Sequence, residues 1–220
     1  MNPKTDFSIR SFIGGYDKNL TYLVTCFRTG MQVFIDAAVD LNRIKPFIKT
    51  PPKAVLITHS HGDHIAFLNQ YLIKYPDLII IGHPKTDDSI FDGEFQKILD
   101  GQSFNLGAIT GKALHTPGHY YDCISYYIES VLFTGDTMFV GRTGRVISAK
   151  SDIKALYESV YKIILALPQN TRIYPGHDYG ESPTITIKEN ISISPLLQAK
   201  NLEDFKNIMD KYEKNRSKNT

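Results

Sequence analysis

Residues 58–64 read Thr58-His59-Ser60-His61-Gly62-Asp63-His64 and follow directly on the apolar run Ala54-Val55-Leu56-Ile57. Imidazole nitrogens and carboxylate oxygens are the usual ligands of a divalent transition metal in a catalytic site. Because a strand alternates its side chains, His59 and His61 share a face. A helix that begins near Gly62 places Asp63 and His64 on its first turn. The segment therefore predicts two adjacent metal positions, one for each of these pairs.

Two plainer interpretations of this cluster are a solvated loop that carries surface histidines and adventitious metal binding by a histidine-rich tract. Three histidines and an aspartate within six residues, placed where a buried strand ends, form a denser signal than a solvated loop usually carries. A histidine-rich tract would lie in a low-complexity neighbourhood, whereas the flanks here have the patterns of an ordinary strand and an ordinary helix. A specific metal site is therefore the favoured interpretation.

The composition bounds the class of protein. The 220 residues suffice for one large α/β domain, and 42% hydrophobic and 22% charged residues are typical of a soluble globular chain. A formal net charge of +2 does not favour nucleic acid or an anionic membrane as a partner. No apolar run approaches the roughly 18 residues of a membrane span. The start of the chain lacks the apolar core of a signal peptide, which predicts a cytoplasmic protein.

The two cysteines, Cys26 and Cys123, both lie in β-like runs. They are interpreted as small buried hydrophobic side chains rather than as a disulfide framework. A contact between them is left open.

The first half of the chain predicts a sheet covered by helices. Its predicted elements are a β-meander over 7–36 with a hairpin turn at 28–30, strands over 54–57 and 78–81, and helices over 41–48 and 63–75. Residues 84–112 have the least regular pattern, and a helical turn is predicted over 95–99. The strand–helix–strand order favours a sheet with helices on its faces.

The second half is richer in strand patterns and ends in helices. Its predicted elements are strands over 112–114, 124–129, 131–133 and 171–174, a helix over 151–167 with Ser151 as N-cap, and a final helix from a cap at Asn201. Apolar residues recur at helical spacing over 151–167, which predicts a stripe that faces a core. The whole chain, 1–220, is predicted to be one domain, with 181–220 a helical extension that frays from residue 211.

Four predicted strand ends carry side chains that bind metals. Besides the cluster at 59–64, these are His119 in Thr116-Pro117-Gly118-His119, Asp136 in Thr134-Gly135-Asp136, and His177 after Pro175-Gly176. Taken alone, His119 is interpreted as a turn histidine and Asp136 as part of an Asx turn. Buried strands that end in glycine or proline hold side chains rigidly. Four such ends together predict a common site.

These motifs, in this order, resemble the metallo-β-lactamase-fold superfamily, whose pattern is HxHxDH, a His in a TPGH turn, an Asp in a TGD turn and a final His. The resemblance covers roughly residues 7–180. Within the superfamily, residues 132–139, Gly144-Arg145 and residues 174–179 are similar to the glyoxalase II and persulfide dioxygenase branch. The resemblance implies an α/β fold, a four-layer αββα sandwich with the metals at one sheet edge.

The resemblance also implies the roles of seven residues. The first metal would be held by His59, His61 and His119, the second by Asp63, His64 and His177, and Asp136 would bridge them. In the two-metal version, a metal-bound hydroxide, with Asp63 as the associated catalytic residue, attacks the carbonyl of a thioester or ester. The implied protein is a metal-dependent hydrolase similar to hydroxyacylglutathione hydrolase, with two divalent ions: zinc first, iron or manganese as alternatives.

Two other functions stay open at this point. The persulfide dioxygenase relatives hold one Fe(II) through two histidines and a carboxylate, here His59, His119 and Asp136, and act on a low-molecular-weight thiol persulfide. The part of the chain after residue 180 resembles theirs and is too short for the added helical domain of full-length glyoxalase II. The third is a metal-stabilised binding module without chemistry, against which the complete ligand set argues.

The chain departs from the family pattern around the implied site. The departures are Ala37-Ala38, Tyr120, Asp122, and Arg142-Thr143-Gly144-Arg145 in place of Gly-Cys-Gly-Arg. Arg145 and Tyr179 match positions that hold glutathione in relatives, and a cation with a phenol suits a peptide carboxylate. A plain surface charge is the alternative interpretation of Arg145.

The remaining histidines and partners complete the expectations. His115 is expected to orient a metal ligand, and His83 to be a loop residue with satisfied hydrogen bonds. The expected substrate is a small molecule, such as a glutathione or other thiol conjugate. Whether the protein forms a homodimer is left open.

Overall fold

Two six-stranded sheets form the centre of the computed structural model, which describes residues 6–216. In spatial order the first sheet contains β1 (Phe7–Gly14), β2 (Asn19–Cys26), β3 (Gln32–Ile35), β4 (Ala54–Leu56), β5 (Ile79–Gly82) and β6 (Phe95–Lys97). The second contains β14 (Ile185–Thr186), β13 (Arg172–Pro175), β10 (Val131–Gly135), β9 (Ile124–Ile128), β8 (Ile109–His115) and β7 (Ser103–Leu106). A separate antiparallel pair consists of β11 (Met138–Phe139) and β12 (Arg142–Thr143).

Helices cover the outer faces of both sheets. They are α1 (Leu41–Ile44), α2 (Leu68–Lys74), α3 (Ile153–Glu158), α4 (Ile187–Ile193) and α5 (Leu202–Arg216). Single 3₁₀ turns occupy Lys45–Phe47, Asp88–Ile90 and Pro195–Leu197, and α3 continues as a π-helical segment, Ser159–Ile164. None of the helices within residues 6–216 combines the length and the apolar character that crossing a membrane requires.

The alternation of side chains along the strands builds three apolar layers. Tyr22 and Phe133 point between the sheets and belong to the central core. Leu23, the next residue on β2, packs with the apolar residues of α1 and α2. Leu132, next to Phe133 on β10, packs with those of α3 and α5. Because successive strand residues face opposite sides, these layers give the order helix, sheet, sheet, helix, which confirms the predicted αββα sandwich.

The helix predicted over 63–75 begins later than expected. β4 ends at Leu56, residues 62–67 form turns, and α2 starts at Leu68. The backbone N–H of Ala37 donates to the carbonyl of His64 at 2.9 Å, and the N–H of Phe67 donates to the carbonyl of Ala37 at 2.9 Å. These bonds to another segment replace helical bonds, so Asp63 and His64 do not lie on the first turn of a helix.

The helical turn predicted over 95–99 is wrong, because Phe95–Lys97 forms β6. β6 pairs in parallel with β5, and flanking backbone bonds extend the ladder: Ile80 N–H donates to Glu94 O at 2.8 Å and Ile98 N–H to Gly82 O at 2.9 Å. An edge strand of three residues is too short to show an alternating pattern in the sequence.

The helix predicted over 151–167 has its apolar stripe but a different cap. Asp152 is the N-cap, and its carboxylate accepts a hydrogen bond from Ala155 N–H at 2.9 Å. The Ser151 hydroxyl instead donates to the carbonyl of His119 at 2.8 Å. Leu156 and Val160 of the stripe are buried in the core beneath the second sheet.

The final helix is longer than expected. The Asn201 cap is confirmed, since its side-chain oxygen accepts a hydrogen bond from Asp204 N–H at 2.9 Å. α5 continues to Arg216, and the predicted fraying from residue 211 stays a prediction. Phe205 and Met209 anchor the helix in the core beneath the second sheet. The rest of the predicted frayed tail, 217–220, lies outside the described residues.

The two cysteines are both free and both buried. Cys26 belongs to the core between the sheets. The prediction of small buried side chains rather than a disulfide framework is confirmed.

Candidate metal centre

The predicted ligands meet because the strands that carry them end at the same edge. β3 and β4 are parallel neighbours in the first sheet, and β10 and β13 are parallel neighbours in the second. Gly176 N–H donates to Gly135 O at 2.8 Å, which aligns the segments after β10 and β13. Ile124 N–H donates to Thr58 O at 2.7 Å and ties the two sheets together beside the cluster at 59–64.

The first group of side chains is His59, His61 and His119. Nε2 of His59 lies 2.9 Å from Nδ1 of His61, and Nε2 of His119 lies 3.1 Å from that same Nδ1. Three ring nitrogens from residues 60 positions apart along the chain thus converge on one point. This is the set that the sequence assigns to a first metal.

The second group is Asp63, His64 and His177. Nε2 of His64 lies 3.2 Å from Nε2 of His177. Oδ2 of Asp63 lies 3.4 Å from Nε2 of His177 and 3.8 Å from Nε2 of His64. This is the set that the sequence assigns to a second metal.

Asp136 lies between the two groups. Its Oδ2 is 3.5 Å from Nε2 of His119 in the first group and 3.4 Å from Nε2 of His177 in the second. Its Oδ1 is 3.2 Å from Nε2 of His64. One carboxylate therefore faces both positions, as a bridging ligand would.

The outward nitrogens of four histidines have hydrogen-bond acceptors. Nδ1 of His119 lies 2.9 Å from Arg145 O, Nδ1 of His177 lies 2.7 Å from Asp17 O, and Nδ1 of His64 lies 2.8 Å from Oδ2 of Asp36. Nδ1 of His59 lies 3.2 Å from the Thr58 hydroxyl, which itself donates to Asp36 at 2.8 Å. In the neutral rings these partners hold the hydrogen on Nδ1, so the lone pair of Nε2 points into the centre.

Three observations fit divalent cations at these positions. Ligands that surround one ion tetrahedrally at roughly 2.0–2.1 Å lie about 3.3 Å apart, close to the spacing of the converging nitrogens. Oδ1 of Asp136 is buried without a hydrogen-bond donor, which is costly unless a cation faces it. Gly176 leaves room beside it, because an added Cβ would lie 2.4 Å from that oxygen.

Burial keeps two histidines of the first group, His59 and His61, neutral. It lowers the pKa of His59, and the nearby His64 imidazole adds to the effect. Burial also lowers the pKa of His61 to about 4. Both rings are therefore uncharged at neutral pH and present lone pairs.

The second group is strongly polarised. Burial by itself lowers the pKa of His177, but hydrogen bonds to Asp136 and Asp63 outweigh it and raise that pKa to about 9. The charges of Asp136 and Asp36 likewise raise the pKa of His64 against burial. For Asp63, burial raises the pKa, but the hydrogen bond from His177 outweighs it and holds the pKa below its usual value. Protons and a divalent cation therefore compete for these rings.

The predicted substrate residues line a cavity that adjoins the centre. Arg145 and Tyr179 border a space of about 90 Å³ together with His119 and Asp136. The Tyr179 hydroxyl donates to Oδ2 of Asp17 at 2.5 Å. The role of Arg145 and Tyr179 in binding substrate stays a prediction.

The two remaining histidines form a pair of their own. His83 and His115 stack with ring centroids 3.9 Å apart and 11° between their planes. Nε2 of His115 lies 3.0 Å from the carbonyl oxygen of Tyr121, and Nδ1 of His83 accepts a hydrogen bond from Lys85 N–H at 3.2 Å. The bond from Lys85 N–H gives Nδ1 of His83 a hydrogen-bond partner, as expected. The role of His115 in orienting a metal ligand stays a prediction.

Sequence reasoning missed the residues that position the ligands. Asp36 binds the backbone and hydroxyl of Thr58 and the ring of His64, and Asn19 donates to Asp63 at 2.9 Å. Asp36 directly follows the buried strand β3, which is the signal that singled out Asp136. Asn19 is the first residue of β2, and no pattern in the sequence marks it.

Comparisons with known proteins identify the family and the fold. The sequence pattern of the family described as "Metallo-beta-lactamase superfamily" matches residues 29–177. A protein named hydroxyacylglutathione hydrolase from Francisella philomiragia is 34% identical over 169 residues, or 76% of this chain. The match spans 62% of that protein's length.

Solved structures share the architecture over most of the chain. ETHE1 from Myxococcus xanthus has a TM-score of 0.84 at 26% identity, covering 92% of this chain and 90% of that one. TTHA1623, solved in a di-iron-bound form, has a TM-score of 0.71 at 26% identity, covering 86% of this chain and 100% of that one.

Proposed function

The chain belongs to the metallo-β-lactamase superfamily, and from that premise we propose that it is a metal-dependent hydrolase that cleaves the thioester or ester of a small thiol conjugate. The observation that carries the proposal is the pair of ligand groups joined by Asp136. The relatives named hydroxyacylglutathione hydrolase support the substrate class. The chain spans only part of the length of these relatives, so their activity is a proposal for this chain.

We assign the ligand roles as the sequence predicts them. His59, His61 and His119 would hold one divalent ion, Asp63, His64 and His177 the other, and Asp136 would contact both. When bound, such ions polarise a carbonyl and lower the pKa of a coordinated water to about 7. Zinc suits this nitrogen-rich set, and iron or manganese would also fit it.

The chain's own residues would orient the reaction. The low pKa of Asp63 keeps its carboxylate ionised at neutral pH, so it accepts hydrogen bonds from water but is a weak base. The amide of Asn19 holds Oδ2 of Asp63 at 2.9 Å. Tyr22 and Phe133 belong to the apolar core between the sheets. Asp63 is therefore proposed to position the attacking water rather than to store its proton.

A second candidate is a mononuclear Fe(II) persulfide dioxygenase. Its support is the fold: ETHE1, of the persulfide dioxygenase branch, superposes with a TM-score of 0.84 over 90% of its own chain. The two histidines and one carboxylate of that chemistry would be His59, His119 and Asp136, with Oδ2 of Asp136 3.5 Å from Nε2 of His119. A metal-stabilised binding module without turnover is the third candidate.

We also propose that residues 1–220 act as one domain. The support is packing: Phe205 and Met209 of α5 share an apolar cluster with Leu132 and Ile173 of the second sheet. The helices after residue 180 thereby cover a face that the sheet would otherwise expose.

The deciding experiment measures metal content and turnover on the same preparation, purified without added metal. The hydrolase is supported if the protein binds about two divalent ions such as zinc and cleaves a glutathione thioester at the same rate with and without oxygen. One iron with oxygen uptake on glutathione persulfide overturns it in favour of the dioxygenase. Metal without either reaction overturns both.

A matched pair of variants ties the result to the centre. His119→Asn removes a predicted ligand, and His83→Asn removes a histidine with no predicted role at the centre, whose Nδ1 accepts a hydrogen bond from Lys85 N–H. We expect metal content and turnover to fall only in His119→Asn. Equal loss in both variants contradicts the assignment of His119.

A further inference from the structure

We propose that Arg142, rather than Arg145, binds a carboxylate of the substrate and selects thiol conjugates that carry one. The inference rests on the proposed function, because it concerns the substrate of the same centre. It assigns a role to a residue that stands where relatives of this branch carry no cation.

The space beside the metal centre is divided into two parts. The inner cavity, about 90 Å³, borders His119 and Asp136. It has room for about three water molecules, and so for a reacting group but not for a whole substrate. An outer groove of about 690 Å³ adjoins it, a size typical of a small-ligand site. Arg142, Tyr179 and Tyr212 line both parts.

A substrate must therefore span the two parts. Its acyl group fits the inner cavity, and the rest of the thiol lies in the outer groove. The side chains shared by both parts stand beside the thiol portion, close to the sulfur. A carboxylate in the thiol portion of the substrate would therefore bind an arginine at this boundary whose N–H groups have no other partner.

Arg145 is not free. Its Nε lies 3.1 Å from both carboxylate oxygens of Glu213, and its Nη2 lies 2.7 Å from Oε2. This two-pronged pair uses the Nε/Nη2 edge of the guanidinium, the edge suited to bidentate binding of a substrate carboxylate. A carboxylate that used this edge of Arg145 would have to displace Glu213 of α5.

Arg142 keeps its donors available. Its guanidinium carbon lies 4.0 Å from the centre of the Tyr179 ring and 5.5 Å from that of Phe139. Within residues 6–216 no ion pair or hydrogen bond engages its side chain, and ring stacking leaves the N–H groups in the plane unused. Arg142 is half-buried, so a charge pair here is screened less than one on the open surface.

The neighbouring carboxylates are not paired with this charge. Glu181 also lines the outer groove, but no ion pair joins it to Arg142 within the described residues. Oδ2 of Asp17 accepts the Tyr179 hydroxyl at 2.5 Å, and Glu213 is occupied by Arg145. Asp136 faces the histidines of the centre. The cation at the boundary of the two spaces is therefore available to an anionic ligand. The substrate class that follows is a thioester of a carboxylate-bearing thiol, such as a peptide thiol.

The test compares two thioesters with the same acyl group on the metal-loaded protein. One is made with glutathione, which has two carboxylates, and the other with N-acetylcysteamine, which has no charge. For Arg142→Gln we expect KM for the glutathione thioester to rise about tenfold, as for the loss of one partly exposed charge-assisted hydrogen bond. We expect kcat, and both constants for the uncharged thioester, to stay within about twofold, since only uniform binding is removed.

Three further variants sharpen the result. Arg142→Lys keeps the charge and should recover most of the affinity. Arg10→Gln is the matched control, because the Arg10 guanidinium also covers a ring, that of Phe47 at 4.2 Å, outside both spaces. Arg145→Gln should affect the two thioesters equally. Selective loss of the glutathione thioester in Arg145→Gln, or equal loss of both in Arg142→Gln, overturns the inference.

A binding measurement separates this inference from the proposed function. S-methylglutathione has the carboxylates but no thioester, and its Kd is measured by calorimetry on the metal-loaded protein and on Arg142→Gln. An Arg142-dependent Kd without thioester cleavage refutes the hydrolase and supports the inference. Cleavage with a Kd that Arg142→Gln leaves unchanged supports the hydrolase and refutes the inference.

Discussion

Replacing Asp36 with Asn should weaken metal binding although it removes none of the seven predicted ligands. Asp36 is 2% exposed and accepts three hydrogen bonds: Thr58 N–H at 2.7 Å, the Thr58 hydroxyl at 2.8 Å and Nδ1 of His64 at 2.8 Å. An amide keeps one accepting oxygen and turns an NH₂ group toward a donor. The ring of His64 then loses its orientation, and the Thr58 hydroxyl loses its hold on His59.

The expected magnitude follows from these contacts. Loss of a partner that orients a metal-bound histidine typically costs about 10–100-fold in metal affinity, or about 1.4–2.8 kcal/mol. Metal affinity is measured by competition with a chelator of known Kd, and folding by near-UV circular dichroism. An affinity within about twofold of the unmodified protein, in a folded variant, would refute the reasoning.

Asp122→Asn is the matched control for this experiment. Asp122 is 1% exposed and also accepts a hydroxyl, that of Thr86 at 2.8 Å. Its hydrogen bonds go to Thr86 and to the backbone of Ser60, and not to a ring of the centre. We expect Asp122→Asn to lower the free energy of unfolding and to reduce metal affinity less than Asp36→Asn does, because its contact near the centre is a 3.5 Å bond to the backbone of Ser60.

Three further predictions follow from the structure. Gly176→Ala should bind less metal, because its Cβ would lie 2.4 Å from Oδ1 of Asp136. Gly62→Ala should bind metal normally, because a Cβ there would have no other atom within 4 Å. Elemental analysis of both variants checks this. The metal-free protein should lose up to about 3 kcal/mol of unfolding free energy as the pH rises from 6.5 to 9. Protonation of His177 stabilises the fold fully below the unfolded pKa of about 6.5, and this contribution is lost as the pH passes the folded pKa of about 9. Urea unfolding across this pH range measures the loss, and the profile should be flat once metal is bound. Glu213→Gln should lower the free energy of unfolding by about 0.5–1 kcal/mol, since it removes a half-exposed ion pair; an unchanged urea midpoint would contradict this.

The sequence predicted the ligand positions because their signals are local. Each follows a buried strand in a short turn, and β10 and β13 lie parallel in one sheet, so their carboxyl ends meet. The layers were equally readable, since alternation on β2 and β10 assigns Tyr22 and Leu23, or Phe133 and Leu132, to opposite faces. Periodicity is a property of the chain itself and needs no tertiary information.

The features that escaped prediction depend on partners distant in sequence. The late start of α2 follows from backbone bonds to Ala37, and β6 exists because β5 offers an open edge. Arg145 meets Glu213 across 68 positions of the chain, so its engagement could not be read from the motif around it. Tertiary contacts override local preference at such places.

Arg145 links the metal centre to the last helix. The carbonyl oxygen of Arg145 lies 2.9 Å from Nδ1 of His119, and its guanidinium forms an ion pair with Glu213 near the end of the last helix. A shift of that helix would pull on the arginine and, through its backbone, tilt an imidazole of the reaction centre. The Arg145–Glu213 pair thus makes the position of α5 a determinant of how the His119 ring faces the centre.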